Sequence, residues 1–368
     1  MTKNGLIIFW SISVLLFSCG NPNAKTTIDH QTVNEQAITK AQSELIFDHT
    51  KVFPNNTQLA FAFIKNGRVQ FYGVEKRNDS ILSVQNHQNA FEIGSITKVF
   101  TSTVLADLVL DHTVDLDDPI NPFYDFAFHK NQKITFKTLA NHTSGLPRMP
   151  SNFDFDIGNQ DPFASYDSEK LRAYLTNDME LSFDNEGTYE YSNLGAGLLG
   201  YTLSKIEKKP LSQLFQERIF TKYDMPNSTI GSENVPTSLV QGQSPEGRPV
   251  QNWNLASLSG AGDIISTAED LSQFVLAQFQ ADDEVLAMTR AATHALNEDS
   301  SVGLGWHIRK GLSGENWIWH NGGTGGYTSC LVMNTESKNA VIVLSNVSAL
   351  GDLMIHIDQL CFGLMETL

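Results

Sequence analysis

Phe91-Glu92-Ile93-Gly94-Ser95-Ile96-Thr97-Lys98-Val99-Phe100 marks the point where one sequence periodicity gives way to another. Before it, apolar residues come in short runs and alternations. Leu59-Ala60-Phe61-Ala62-Phe63-Ile64 is followed by the turn signal Lys65-Asn66-Gly67, and Arg68 to Val74 alternates over most of its length. Two such runs flanking Asn-Gly predict a β-hairpin. After Gly94, the apolar residues Val99, Phe100, Val104, Leu105 and Leu108 recur at helical spacing. Helices are predicted over 95–110, 168–176, 195–207, 211–220 and 267–279. Strands return near the C-terminus, over 317–320, 327–333 and 340–345, with Asn334 to Lys338 as a turn. A last helix follows, with Leu353, Ile357, Leu360 and Leu364 on one face. Strand-rich ends around a helix-rich middle predict an α+β fold. One antiparallel β-sheet is built from both termini and flanked by helices, with a mostly helical domain inserted roughly over 105–300. A cleft between the two is the expected site.

The composition is that of a globular chain: 368 residues, 41% hydrophobic and 18% charged. Asp and Glu number 41 against 25 Lys and Arg, a formal charge of −16. That balance argues against a nucleic-acid partner, which calls for a clustered basic face. Near the N-terminus, Lys3 precedes an apolar run from Leu6 to Phe17, broken only by Ser11 and Ser13. The run is short for a bilayer span and suits a signal-peptide core. It ends in Leu16-Phe17-Ser18-Cys19-Gly20, which resembles the lipobox of bacterial lipoproteins. The resemblance implies a signal peptide over 1–18, acylation of Cys19, a polar lipidated tether over 19–42 and a folded domain over 43–368. The protein is then held on a membrane of the bacterial envelope, at its periplasmic or cell-surface face, without spanning it. The alternative is a plain signal peptide with an incidental Cys. The remaining cysteines, Cys330 and Cys361, form no Cys-x-x-Cys, so neither a zinc knuckle nor a dithiol redox site is expected. Pairing and two buried thiols both remain open.

Ser95 and Lys98 form the only Ser-x-x-Lys in the chain. Residues i and i+3 share a helical face, so the amine can reach the hydroxyl. A serine hydroxyl needs an adjacent base to attack a carbonyl. A lysine desolvated near other cations loses its proton close to neutrality and serves as that base. The helix N-terminus adds free N–H groups and positive partial charge at Ser95. Tyr191-Ser192-Asn193 offers a phenol to pass a proton to a leaving group and an amide to bind substrate. The phenol's pKa is expected to fall beside a lysine ammonium. Its structural alternative is a turn into a helix capped by Asn193. His320-Asn321-Gly322-Gly323 closes a predicted strand. Its glycines admit a ligand close to the backbone, and the Gly323 N–H is an oxyanion donor beside that of Ser95. His320 is expected to hold a substrate carboxylate or polarise the site. Gly195-Ala196-Gly197-Leu198-Leu199-Gly200 matches a dinucleotide-loop spacing but lacks a preceding strand, so close helix packing is expected instead. Asp111, Asp115, Asp117 and Asp118 read as a helix-end turn. Neither a metal nor a cofactor is expected.

In the order Ser-x-x-Lys, Tyr-x-Asn, His-x-Gly, the three motifs resemble the serine β-lactamase and penicillin-binding-protein superfamily. The nearest likeness is to its branch of class C β-lactamases, D-alanyl-D-alanine carboxypeptidases, D-aminopeptidases and β-lactamase-like esterases. Leu139 to Pro147, Ser259 to Leu271 and Gly303-Leu304-Gly305-Trp306 are similar to segments of that branch. The resemblance runs from about residue 45 to the end and implies an antiparallel sheet beside an all-helical region. It implies catalysis by Ser95, Lys98 and Tyr191, with Asn193, His320, Gly322 and Gly323 binding substrate or oxyanion. The substrate is then an amide or ester: a β-lactam, a D-alanyl peptide or a carboxylic ester. His320 stands where class C β-lactamases usually carry Lys, which implies a weaker grip on a β-lactam carboxylate. The rival expectation is a lipoprotein that keeps the fold and binds peptidoglycan or another ligand without turnover.

Overall fold

The computed structural model describes residues 27–29, 38–78, 80–155, 161–182 and 188–368. Cys19, the expected acylation site, lies outside them. The chain opens with β1 (Thr27–Asp29), α1 (Lys40–Thr50), β2 (Gln58–Lys65), β3 (Arg68–Arg77), β4 (Ser80–Ser83) and β5 (Ala90–Glu92). The middle carries α2 (Thr97–Leu110), α3 (Phe136–Ala140), α4 (Ser168–Ala173), α5 (Asn193–Glu207) and α6 (Leu211–Phe215). It continues through β6 (Thr229–Ile230), β7 (Ile264–Thr267), α7 (Ala268–Gln278) and α8 (Glu284–Arg290). The last part is β8 (His294–Ala295), β9 (Ser300–Val302), β10 (His307–Lys310), β11 (Asn316–Gly323), β12 (Thr328–Asn334), β13 (Asn339–Ser345) and α9 (Met354–Met365).

Among the described residues the main sheet has ten strands in the order β1-β4-β3-β2-β13-β12-β11-β10-β9-β8. Its seam is the antiparallel pairing of β2 with β13, Ile64 opposite Ala340 and Leu59 opposite Ser345. The N-terminal hairpin and the C-terminal meander thus form one sheet, as the sequence predicts. The pairing of β1 with β4 is parallel; every other pair is antiparallel.

Both faces of the sheet's centre are buried, and strand alternation sorts the side chains between them. Ala60, Ala62 and Ile64 of β2, with Ile342 and Leu344 of β13, enter the core shared with the helical region. Leu59, Phe61, Phe63, Val341 and Val343 enter a second core under α1 and α9. This explains why β2 and β13 read as nearly continuous apolar runs.

Helix α2 lies in the middle of the larger core and is buried from Thr97 through Ala106, as an all-round apolar helix must be. The glycines of α5 let it pack closely: a Cβ on Gly197 would come within 2.8 Å of Leu258 Cα, and one on Gly200 within 2.9 Å of Gly260 Cα. The helices predicted over 168–176 and 211–220 end in π turns, Tyr174–Asp178 and Gln216–Phe220.

The middle also holds strands the sequence did not announce. A three-stranded sheet in the order β5-β7-β6 pairs Phe91 with Ser266. Short β8, β9 and β10 extend the main sheet to its far edge. Cys330 on β12 and Cys361 on α9 are free thiols buried in the second core.

Candidate active site

Ser95 sits on the 3-10 turn Gly94–Ile96 that runs into α2. In such a turn residues i and i+3 eclipse, which suits the Ser-x-x-Lys spacing closely. Lys98 Nζ stands 2.9 Å from Ser95 Oγ and donates to the Ala261 carbonyl at 2.7 Å. The Lys98 side chain is sealed in the core at 1% exposure. Burial, and then the Arg148 charge, hold its pKa well below the usual lysine range, so the amine is a base poised beside the hydroxyl.

Tyr191 lines the same cavity as Ser95, with its ring centroid 4.9 Å from Lys98 Nζ. It arrives from the loop before α5, and that loop is fastened to the segment 139–148. Ser192 N donates to His142 Nδ1 at 3.2 Å, Ser192 Oγ donates to the Pro147 carbonyl at 2.7 Å, and Asn193 N donates to the Arg148 carbonyl at 3.0 Å. Ser192, not Asn193, caps α5 by accepting from Gly195 N at 2.8 Å. The Asn193 side chain, with Nδ2 donating to Met149 Sδ at 3.8 Å, lines the cavity with Ser95.

The expected fall in the Tyr191 pKa does not occur. Burial pushes it up to about 12, outweighing the Ser95 hydrogen bond and the Arg148 charge, which pull it down. A lysine whose ammonium is disfavoured by burial lends little charge to a phenolate.

The third motif approaches the nucleophile edge-on. Gly94 has φ +51°, and a Cβ there would come within 2.5 Å of Gly323 N. A Cβ on Gly322 would meet the Ile93 carbonyl and lie 2.8 Å from Ser95 N. Only glycine at both positions lets the end of β11 close on the turn that carries Ser95. Gly322 and Gly323 line the cavity together with Tyr191 and Asn193.

His320 is placed otherwise than expected. It is 1% exposed and does not line the cavity. Its Nδ1 lies 2.5 Å from the Asn321 carbonyl, and its buried Nε2 has no hydrogen-bond partner among the described residues. The ring packs 6.2 Å from Tyr191 and 5.2 Å from His307. Burial, then His307 and Lys98, hold its pKa well below the usual histidine range. His320 thus stands behind the cavity wall, against Tyr191 and His307, rather than on its surface.

Three residues that sequence reasoning did not single out complete the setting. His142, with φ +63°, places its ring 4.5 Å from Tyr191. His307 stacks on Trp319 at 4.7 Å and lines the cavity. Burial holds His142 well below its usual range and lowers His307 to about 4. Arg148 lines the cavity with its guanidinium 5.2 Å over the Tyr191 ring. Their sequence signals were their positions within or just after the family-like segments 139–147 and 303–306. The cavity itself encloses about 640 Å³, a size suited to a small organic ligand.

A family model described as Beta-lactamase matches residues 55–357. Beta-lactamase-like protein 2 of Dictyostelium discoideum is 28% identical over 307 residues, 78% of this chain and 55% of that protein. The unguisins hydrolase of Aspergillus campestris is 27% identical over 286 residues, 70% of this chain and 52% of that protein. The chain thus spans about half the length of these two curated relatives. The solved beta-lactamase/D-alanine carboxypeptidase of Yersinia pestis superposes with a TM-score of 0.71 at 22% identity, covering 89% of this chain and 99% of that one. That likeness carries the fold.

Proposed function

This chain belongs to the Beta-lactamase family, whose relatives include a named hydrolase, and from that premise we propose that it is a serine hydrolase cleaving an amide or ester through an acyl-enzyme on Ser95. The observation that carries the proposal is the 2.9 Å approach of a fully buried lysine amine to the Ser95 hydroxyl at the mouth of a cavity. Among the described residues Lys98 has no carboxylate partner; burying an amine so is costly, and generating a nucleophile is a use that offsets the cost.

In the proposed reaction, Lys98 takes the Ser95 proton as Oγ attacks the substrate carbonyl. The N–H groups of Ser95 and Gly323 bind the oxyanion. The Lys98 ammonium so formed stands in a site where Arg148 opposes positive charge. It passes its proton through the Tyr191 phenol to the leaving nitrogen or oxygen, whose bond to the carbonyl carbon breaks. Water, deprotonated by the same amine, then attacks the acyl-enzyme; acid is released and Ser95 regains its proton. Asn193 faces the substrate across the cavity.

The test is purified protein against a chromogenic cephalosporin, short-chain p-nitrophenyl esters and D-alanyl-D-alanine peptides, each beside Ser95→Ala. Turnover and covalent labelling by a serine-reactive phosphonate should vanish in the variant. Labelling retained in Ser95→Ala would refute the assignment. One stoichiometric burst on every substrate, with no turnover, would favour the ligand-binding alternative. The proposal extends to the protein's setting: acylation at Cys19 holds it on a membrane of the cell envelope. Incorporation of labelled palmitate, lost in Cys19→Ser, is the expected result; unlabelled wild-type protein would remove the anchor.

A further inference from the structure

The catalytic cavity has a polar side and an apolar side. Ser95, Tyr191, Asn193 and Gly323 make the first. The second is a run of aromatic rings: Phe153 and Phe163 with centroids 4.9 Å apart, and Phe163 and Trp253 with centroids 5.1 Å apart. Phe155 extends the run at the rim, 6.3 Å from Phe153, with 42% of its surface exposed.

The Trp253 end of the wall is anchored to the segments flanking the reacting groups. Trp253 N donates to Glu92 Oε1 at 3.1 Å, and Asn252 Nδ2 donates to the same oxygen at 2.6 Å. Glu92 stands three residues before Ser95 on the same segment. On its other side, the indole lies against Gly325, where a Cβ would come within 2.7 Å of Nε1. Gly325 stands two residues after Gly323. Trp253 is therefore tied to both segments that carry the reacting groups, and its ring lines the same cavity as Ser95.

Charge points the same way. Among the described residues no Asp or Glu lines the cavity, and the one permanently charged lining residue there, Arg148, has its guanidinium over the Tyr191 ring. A cationic substituent on a substrate would find no carboxylate among the described lining residues, whereas a ring or branched alkyl group would find a preformed face. Aromatic surface left open to water beside a reactive centre is costly until something apolar covers it.

Resting on the serine-hydrolase reading, we propose that the cavity selects acyl groups bearing an aromatic or branched apolar substituent next to the scissile carbonyl, with the Phe153–Phe163–Trp253 wall as the specificity determinant. The acyl group stacks on the wall while its carbonyl oxygen sits at Ser95 and Gly323. A cationic acyl group is disfavoured by desolvation and by the Arg148 charge.

The experiment compares p-nitrophenyl acetate, phenylacetate and a lysyl ester, which share one leaving group, each corrected for spontaneous hydrolysis. In the wild type, kcat/KM for the phenylacetate should exceed that for the acetate by at least about tenfold, the scale set by apolar contacts in a specificity pocket. The lysyl ester should be the poorest of the three. Trp253→Ala should reduce the phenylacetate-to-acetate ratio by about tenfold. Phe163→Leu, a gentler change, should reduce it in the same direction and guards against misfolding of the first variant. Stoichiometric labelling of Ser95 by a small phosphonate reports that each variant is folded. A wild-type ratio near one, a preference for the lysyl ester, or a ratio unchanged in both variants overturns the inference while leaving the hydrolase intact. Failure of Ser95 to react with phosphonate or esters overturns both.

Discussion

At the scale of single residues, the chemistry turns on where protons rest. Burial and the Arg148 charge push the Lys98 pKa down, and burial pushes the Tyr191 pKa up. The pH profile follows from these signs. With an uncharged ester, kcat/KM should fall on the acid side as Lys98 binds a proton, and Tyr191 should impose no alkaline limb below about 12. Arg148 disfavours the Lys98 ammonium, so Arg148→Ala should move the acid limb to higher pH. A limb that stays put, or moves down, would contradict this electrostatic account. Tyr191→Phe should cost roughly 10²–10⁴ in kcat on an amide, the usual scale of general-acid assistance. A p-nitrophenyl ester should suffer much less, because its leaving group departs without a proton. Equal losses on both would place Tyr191 outside proton delivery. The Ser95–Lys98 pair was legible from sequence because it is local. The Tyr191–Arg148 contact was not, because 43 positions separate the partners.

At the scale of elements, the site depends on β11 lying against the Ser95 turn. Gly322→Ala would put a methyl group on the Ile93 carbonyl and push the oxyanion donors apart. The expected result is a fall of roughly 10²-fold or more in kcat, the scale of losing one oxyanion donor, in a protein that still binds phosphonate slowly. Wild-type turnover in that variant would show the strand free to adjust. Glu92 fastens β5 to the segment carrying Trp253, and burial raises its pKa from 4.5 to about 7. Its neutral form therefore suits the fold. The associated stability is fully present below pH 4.5 and is lost as pH rises through about 7. Glu92→Gln removes that dependence. The stability of wild type relative to the variant should decline across this window by on the order of 3 kcal/mol. Urea titrations of both proteins at about pH 5, 6 and 8 check this, and parallel curves would count against it. The long helices and the central strands announced themselves by period. Helix α1 did not, since it buries only Gln42, Ile46 and Thr50. Its real signal was the capping box of Thr39 and Gln42. Strands β5 to β10 are two to four residues long, too short for an alternation to register.

At the scale of the whole molecule, the two ends of the chain meet in one sheet with a core on each face. The second core depends on α9, whose Ile357, Leu360, Cys361 and Leu364 are fully buried against the strands. Leu360→Ala should cost about 2–5 kcal/mol, the range for emptying a packed site, and a chain ending at residue 350 should fail to fold. A soluble, active truncation would show the second core dispensable. What the sequence determined by itself was whatever repeats over a few residues: strand and helix periods, the Ser-x-x-Lys spacing, the glycines that admit close approach. These depend on one backbone geometry and need no partner. Tertiary structure alone decided the charge states, the neutral burial of His320, the supporting places of His142, His307 and Arg148, and the aromatic wall. A side chain's solvation and its neighbours' charges depend on segments remote along the chain, which come together only when the sheet closes between β2 and β13.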